Sequence, residues 1–222
     1  MNKNTLSFEK TIHNMTLRLR VIDLETTGAH PLSSEVIEFG AVDVFCDNDT
    51  WQIGDVRTRL FRPSGPLTPE TQAVHHLMDE DFTPDMPHAT PEALSSLILG
   101  DPAPDMLVAH HIAFERHFLT DAMTGGLPWL CTLRASQKLW PEAPRHTNQI
   151  LRYWLGLDLD RHLASPAHRA GPDAYVTAHI LMRQLALASP EELFRLTQSR
   201  HVRRGAALRA GRDPYRQEQL FG

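Results

Sequence analysis

Two acids stand one residue apart in the stretch VIDLETTG, residues 21–28, where the pattern otherwise predicts a strand entering a core. Residues i and i+2 of a strand point to the same face, so Asp23 and Glu25 would project side by side. Like charges at that spacing raise each other's pKa unless a cation lies between them. An isolated D-x-E is common by chance, and a solvated turn before Gly28 would explain both acids equally well.

Further groups of the same chemistry occur downstream. Glu115 lies in VAHHIAFERHFL, and His168 and Asp173 lie in HRAGPDAYVTAHILMRQL. Each has an ordinary explanation by itself: the polar face of a helix for Glu115, a first-turn acid favoured by the helix dipole for Asp173, and a surface histidine for His168. Together with the first two acids they make a metal site the better interpretation, because hard divalent cations take carboxylate oxygens as ligands.

The elements that must position these groups follow from the hydrophobic pattern. Strands are predicted over residues 17–24, 35–45, 50–63 and 105–110. Helix-capping patterns begin at Thr68-Pro69 and Thr90-Pro91. Further helices are predicted over residues 113–123, 132–139, 147–155 and 173–188. Three strands followed by helices interleaved with another strand indicate an α/β layered architecture, a central sheet flanked by helices.

Composition limits the class of protein. The 222 residues, 41% of them hydrophobic, suit one domain, and no apolar run approaches the roughly 20 residues of a membrane helix. A net charge of −5 argues against a passive polycation that coats nucleic acid, but not against an enzyme that touches a few phosphates. The two cysteines, Cys46 and Cys131, lack metal-ligand spacing, and the N-terminus lacks a secretory pattern. A cytoplasmic protein is expected.

Three regions are expected along the chain. We expect residues 1–16 to be a polar tail, residues 17–190 to be one folded domain, and residues 191–222 to be an Arg-rich extension. Between residues 195 and 216 the sequence has seven arginines against one acid. A solvated tail or helix face is the ordinary explanation of such a run, and a local phosphate contact is the alternative.

The ordered motifs resemble a known family. D-x-E, then AHxxxFE, then H-x4-D is similar to the DEDDh 3′→5′ exonucleases of the ribonuclease-H-like superfamily. VIDLETTG resembles the first motif almost letter for letter, HRAGPDA resembles the third, and VHHLMDEDF resembles a segment that follows the third strand in many members. CTLRASQKLWPEAP is most like the exonuclease X group. The resemblance covers roughly residues 18–188 and rests on three motifs in order, which makes it far more specific than any one of them.

The resemblance implies a ribonuclease-H-like mixed sheet and a role for each group. Asp23, Glu25, Glu115 and Asp173 would bind two divalent cations, Mg²⁺ or Mn²⁺, with Asp23 bridging both, and His168 would be the general base. The substrate implied is the 3′ end of a nucleic acid, single-stranded DNA before others.

Secondary contacts are also implied. Thr26, Thr27 and Gly28 would meet the terminal nucleotide. His75 and Leu77 occupy the family's base-stacking segment.

The second motif departs from the family. It usually reads AHNxxFD, whereas this chain has His111 for the asparagine and Glu115 for the aspartate. Glutamate is one methylene longer and offers the same oxygens, so a metal site survives with a small backbone shift, which favours the geometrically tolerant Mn²⁺. His111 either keeps the polar contact of the asparagine with substrate or fills space.

The chain ends in RQEQLFG, in which Gln217, Leu220 and Phe221 resemble the Q-x-x-L-F peptide that docks on the bacterial sliding clamp. Chance is the alternative for so short a motif. Three functions therefore stand open: a DNA 3′→5′ exonuclease of repair or proofreading, an RNA-trimming enzyme, and a non-catalytic subunit of a clamp or polymerase that retains the fold.

Overall fold

A computed structural model describes residues 17–198 of the chain. Within that range six strands form one mixed sheet, and seven helices and one turn of 3₁₀ helix (Asp79–Asp81) accompany it. The strands are β1 (Leu17–Thr26), β2 (Val36–Asp47), β3 (Thr50–Ile53), β4 (Arg57–Leu60), β5 (Met106–Ala109) and β6 (Trp129–Cys131). The helices are α1 (Pro69–His75), α2 (Pro91–Leu99), α3 (Ile112–Phe118), α4 (Thr132–Leu139), α5 (Asn148–Trp154), α6 (Ala170–Leu185) and α7 (Pro190–Gln198). The predicted α/β class, a mixed central sheet flanked by helices, is confirmed.

The sheet order is β3-β2-β1-β5-β6, and β4 also pairs with β2. Strand β2 runs antiparallel to β1, β3 and β4, whereas β1, β5 and β6 run parallel. The carboxyl ends of β1 and β5 therefore meet at one edge of the sheet. Ligands and active sites collect at such an edge in open α/β sheets.

Both faces of β1 are covered, as its continuous apolar pattern predicts. Leu19 and Val21 join a core beneath α4, α5, α6 and α7. Ile22 and Leu24 join a second core beneath α2 and α3. The alternation assigns Asp23, another odd-numbered residue, to the α6 side of the sheet.

The two predicted helix caps are confirmed. The Thr68 side chain accepts a hydrogen bond from the Thr71 amide, and the Thr90 side chain accepts one from the Ala93 amide. Each satisfies a backbone donor that the first helical turn leaves free.

Two sequence predictions need correction. Residues 50–63 form two strands instead of one, because the Gly54 amide donates to the Asp43 carbonyl oxygen (2.8 Å) and β4 then pairs with an earlier stretch of β2. Strand β6 was not predicted, since three residues are too few to show an alternating pattern.

The packed structure also continues past residue 190. Helix α7 buries Leu193 completely in the larger core. Arg134 and Lys138 of α4 donate to the carbonyl oxygens of Thr197 and Leu196, as cations at a helix C-terminus commonly do. Nothing in the region 17–198 forms a helix long and apolar enough to cross a membrane.

Gly40 on β2 sets how closely α6 approaches the sheet. A Cβ built there would lie 2.1 Å from the carbonyl carbon and oxygen of Ala170, the first residue of α6. We expect Gly40→Ala to lower the free energy of unfolding by about 1–3 kcal/mol, because backbone cannot yield as a side chain does. Thermal unfolding measures this, with Gly65→Ala as control since its Cβ would meet nothing within 4 Å. Equal melting temperatures for Gly40→Ala and Gly65→Ala would contradict the close approach.

Candidate active site

Strand β1 carries the first two acids within its regular part. It extends to Thr26, so Asp23 and Glu25 lie on the strand and not in a turn after it. Asp23 is paired with Gly40 across the antiparallel ladder and Glu25 with Glu38, before a register irregularity between Glu25 and Thr26. The solvated-turn alternative is therefore excluded by the strand's length.

Helix α6 brings the third acid to the same place. Asp173 is in its first turn, and one oxygen each of Asp23, Glu25 and Asp173 lie within 4.8 Å of one another. The close approach at Gly40 makes this possible. Residues from distant parts of the sequence thus form one acidic cluster, here called the acidic triad.

The side chain of Asp173 is oriented by two donors. Gln149 of α5 donates from Nε2 to Oδ1 at 2.9 Å, and the backbone amide of His168 donates to Oδ2 at 2.9 Å. Each oxygen has one donor and keeps free lone pairs, since a carboxylate accepts at about four sites. The carboxylate is fixed without being saturated.

The electrostatics of the triad favour a cation. Burial raises the pKa of Asp23 well above its ordinary value, and Asp173, Glu25 and Glu115 raise it further. Burial, Asp173 and Glu38 raise the pKa of Glu25 to about 8, against a lowering by Arg169. Mutual repulsion makes it unfavourable for all three acids to be ionised without a cation. Carboxylate oxygens at this spacing suit a hard divalent cation.

Glu115 faces the site from α3. It is buried, and burial raises its pKa to about 8. Its Oε2 atom has no hydrogen-bond partner among residues 17–198, and its charge contributes to the raised pKa of Asp23. A buried carboxylate oxygen without a hydrogen-bond partner lowers the stability of the folded protein. A bound cation would give this oxygen a partner. Glu115 is not one of the three acids whose oxygens lie within 4.8 Å.

The raised pKa values predict how stability depends on pH in metal-free protein. Glu25 and Glu115 have ordinary pKa values of 4.5 and folded values of about 8, so the folded state binds more protons between those limits. Their contribution is complete below pH 4.5 and is lost as pH rises toward 8. Burial lowers the pKa of His110 to about 4, so this residue makes the protein more stable as pH rises, but only up to about pH 6.5.

We therefore expect the free energy of unfolding in EDTA to fall by about 1–3 kcal/mol between pH 6.5 and 8. Urea unfolding at several pH values measures it. Glu25→Gln should flatten this dependence, and excess Mn²⁺ should remove it. A free energy that is level or rising across that interval in EDTA would contradict the arrangement.

His168 has an unusual backbone conformation. Its φ is +58°, in the left-handed region that non-glycine residues seldom adopt, and its side chain is exposed. Arg169, the next residue, forms a two-bond ion pair with the buried Glu38 (2.8 and 2.9 Å), and Glu38 also accepts from the Ala170 amide (2.9 Å). These contacts hold the segment that carries His168 against β2.

The threonines after the acids stabilise the turn that follows β1. Thr26 Oγ1 donates to the Gly28 carbonyl oxygen (2.8 Å), and Thr27 Oγ1 accepts from the Glu35 amide (2.9 Å). A Cβ at Gly28 would lie 2.8 Å from Ser34 Oγ. These three residues follow Glu25 of the acidic triad directly in sequence, and their contact with a nucleotide stays a prediction.

The remaining predicted contacts are placed differently. His75 and Leu77 are each 1% exposed, and Leu77 packs in a small core with Ile37 and Leu67, so neither offers a face to a base in this structure. The Leu77 amide donates to His75 Nδ1 (3.0 Å), which ties the two together. His111 is exposed at the start of α3 and makes no side-chain cap.

Sequence reasoning missed the residues that support the site. Three residues contact the predicted ligands or the segments that carry them: Glu38, Gln149 and Arg169. None of them is among the spaced acids or the histidine from which the site was predicted. The adjacency of Arg169 to His168 was the available signal. Gln217, Leu220 and Phe221, the predicted clamp contacts, lie outside the described residues.

Comparison with known proteins identifies the family of the chain. The family model described as exonuclease, of the ribonuclease T type, matches residues 21–181. Exodeoxyribonuclease 10 of Escherichia coli strain K12 is 30% identical over 164 residues, covering 74% of this chain and 67% of that protein. The PolC-type DNA polymerase III of Thermotoga petrophila is 26% identical over 204 residues, 89% of this chain but only 14% of that protein.

Solved structures share the fold. Exonuclease X in complex with 5′ overhanging duplex DNA has a TM-score of 0.64 at 27% identity, covering 81% of this chain and 99% of that chain. The nuclease domain of 3′hExo, a DEDDh family member bound to rAMP, has a TM-score of 0.55 at 21% identity, a likeness of fold alone. With the family model covering the acids of the triad and Glu115, the chain belongs to the exonuclease family, as a DEDDh-type 3′→5′ exonuclease.

Proposed function

We propose that this chain removes nucleoside 5′-monophosphates from the 3′ ends of DNA, single-stranded before others, in repair or proofreading. The observation that carries the proposal is the acidic triad of Asp23, Glu25 and Asp173, together with the buried Oε2 atom of Glu115, which has no hydrogen-bond partner in the described part of the chain. DNA is favoured over RNA because the relatives at 27–30% identity are named an exodeoxyribonuclease and an exonuclease in complex with DNA.

The four carboxylates would hold two divalent cations, Mg²⁺ or Mn²⁺. Bound there, such cations make a water nucleophilic and stabilise the leaving 3′-oxygen of the phosphodiester. The oxygens of Asp23, Glu25 and Asp173 already lie at ligand spacing, and the two donors to Asp173 hold its carboxylate in place. In this proposal the fold would therefore arrange the ligands before a metal binds.

His168 is the proposed general base. Its amide donates to Asp173, so its backbone is fixed to the triad while its exposed imidazole is free to face an attacking water. An imidazole that accepts the proton of that water contributes about 10²- to 10⁴-fold to the rate. In this proposal the terminal nucleotide lies beside Thr26, Thr27 and Gly28. The exposed His111 contacts the DNA strand near Glu115.

Incubation of a 5′-labelled oligonucleotide tests the function. Stepwise shortening with Mn²⁺ or Mg²⁺, but not with EDTA or with Asp23→Ala protein, is the expected result. Parallel reactions on single-stranded DNA, duplex DNA and RNA separate the DNA enzyme from an RNA-trimming one. No shortening of any substrate with either metal would leave the non-catalytic subunit as the remaining function.

The extension has two proposed partners, and both are sequence-based. Its arginines between residues 200 and 216 would bind phosphates of the substrate strand, and Gln217, Leu220 and Phe221 would dock on a sliding clamp. Within the described part of this extension, α7 is held at its last turn by hydrogen bonds from Arg134 and Lys138. The two free cysteines are compatible with a cytoplasmic location.

Removing residues 199–222 should weaken DNA binding and make it less sensitive to salt. For single strands the slope of log K against log salt becomes shallower by about 0.7 for each phosphate that the protein no longer neutralises. Anisotropy titrations between 50 and 200 mM salt measure the slope. A protein lacking only residues 217–222 should keep the wild-type slope and fail to bind the clamp. An unchanged slope after the longer truncation would contradict phosphate binding by the extension.

A further inference from the structure

We propose that Tyr153 is a stacking platform for a nucleobase of the substrate strand, a few nucleotides from its 3′ end. The proposal rests on the proposed function, which brings the 3′ end to the acidic triad. Tyr153 lies on α5, and its side is set by the residue one turn earlier. Gln149 donates to Asp173 of the triad at 2.9 Å. Residues four apart lie on one side of a helix, so Tyr153 is about 6 Å further along the same side.

A chain of contacts joins Tyr153 to the site. Arg152 Nη1 donates to Gln149 Oε1 (3.3 Å) and to the Ala164 carbonyl oxygen (2.8 Å). The guanidinium carbon of Arg152 lies 5.2 Å from the centroid of the Tyr153 ring. From Asp173 through Gln149 and Arg152 to Tyr153, each member contacts the next. The ring is thus connected to the carboxylate that would hold a metal.

The exposure of the ring is what the fold leaves unexplained. Tyr153 is 74% exposed, whereas Arg152 beneath it is buried. One face of the ring is near a cation, and most of the ring remains open to solvent. Base–aromatic stacking is tolerant of sequence, and the nearby arginine adds positive charge where a phosphate backbone would pass. A strand leaving the triad along α5 would meet this platform.

A protein partner is less well supported for this face. Trp154, the neighbouring exposed aromatic, turns away toward Trp140, with ring centroids 6.4 Å apart, while Tyr153 stays on the Gln149 side. Of these two aromatics, the one that lies four residues after Gln149 is also the more exposed. A nucleic-acid strand whose end lies at Asp173 accounts for both features.

Fluorescence of 2-aminopurine tests the stacking. The full chain in EDTA, where no hydrolysis occurs, is mixed with single-stranded DNA that carries the probe at the second, third, fourth or fifth nucleotide from the 3′ end. We expect one position to be quenched by wild-type protein and to recover its fluorescence with Tyr153→Ala. The Kd for the strand should rise about 10-fold, within the range of stacking on one aromatic. Tyr153→Phe should restore both the quenching and the Kd.

Leu187→Ala is the matched control. Leu187 is another exposed apolar residue, 60% exposed, just past the end of α6 opposite to Asp173. The Leu187→Ala variant should bind the DNA strand with the Kd of the wild-type protein. Quenching that is the same for Tyr153→Ala and wild type, or an unchanged Kd, would overturn the platform even if the protein is an active exonuclease. Failure of the proposed function shows instead as absent metal-dependent shortening, whatever residue 153 is.

Discussion

Asp23→Asn should abolish catalysis and at the same time stabilise the metal-free protein. Asparagine keeps the size of the side chain and removes the charge that would hold the cations. Because a metal supplies several kcal/mol of transition-state stabilisation, the rate on DNA should fall by roughly 10³-fold or more. Without metal, burial and the neighbouring acids raise the pKa of Asp23, so its charge opposes folding. Its removal should add about 1–2 kcal/mol to the free energy of unfolding.

The two effects are measured on the same preparations. Single-turnover shortening of labelled DNA gives the rate, and thermal unfolding at pH 8 in EDTA gives the stability, where 1 kcal/mol corresponds to about 2–4 °C for a protein of this size. Asp55→Asn, at an exposed acid between β3 and β4, should change neither. A variant that is inactive and also less stable in EDTA would indicate that Asp23 has a structural role instead of a metal-binding one.

The acids could be predicted because their chemistry constrains sequence directly. Asp23 and Glu25 need a strand, two residues of spacing and a following turn, and all three are visible in VIDLETTG. Asp173 needs the first turn of a helix, which the apolar run after it indicates. The parallel arrangement of β1 and β5, which brings their carboxyl ends together, follows from the α/β pattern.

The supporting contacts could not be predicted because they depend on tertiary distances. Gly40 is an ordinary glycine in sequence, and only the close packing of α6, which would put a Cβ at this position 2.1 Å from the Ala170 carbonyl, gives it a role. The partner of Arg169 lies 131 positions earlier, at Glu38, and no local pattern marks that pairing. Helix α7 was not predicted as part of the folded domain, because its arginine suggested a solvated tail. In the structure its Leu193 is fully buried.

Glu115 is where the sequence departs from its family, and the structure makes the departure specific. The residue is buried, its Oε2 atom has no partner within residues 17–198, and its oxygens are not among those within 4.8 Å of the triad. A longer side chain on α3 can reach toward the triad where an aspartate at the same backbone position would stop one methylene short. In the proposed site the glutamate would use this extra length to serve as the fourth carboxylate.

Glu115→Gln should therefore lower the rate on DNA by about 10²- to 10³-fold, because the amide keeps the shape but gives up one anionic oxygen. Glu115→Asp, which matches the family's residue, should also lose activity, since the shorter side chain leaves the ligand out of reach. The ratio of Mn²⁺ to Mg²⁺ rates should rise in Glu115→Asp, as the more tolerant ion accepts the longer distance better. Steady-state rates with each metal measure both effects. Glu92→Gln, at an exposed first-turn acid of α2, is the control and should match wild type. Activity of Glu115→Gln within about 2-fold of wild type would show that three carboxylates suffice, and that burial alone explains the pKa of Glu115.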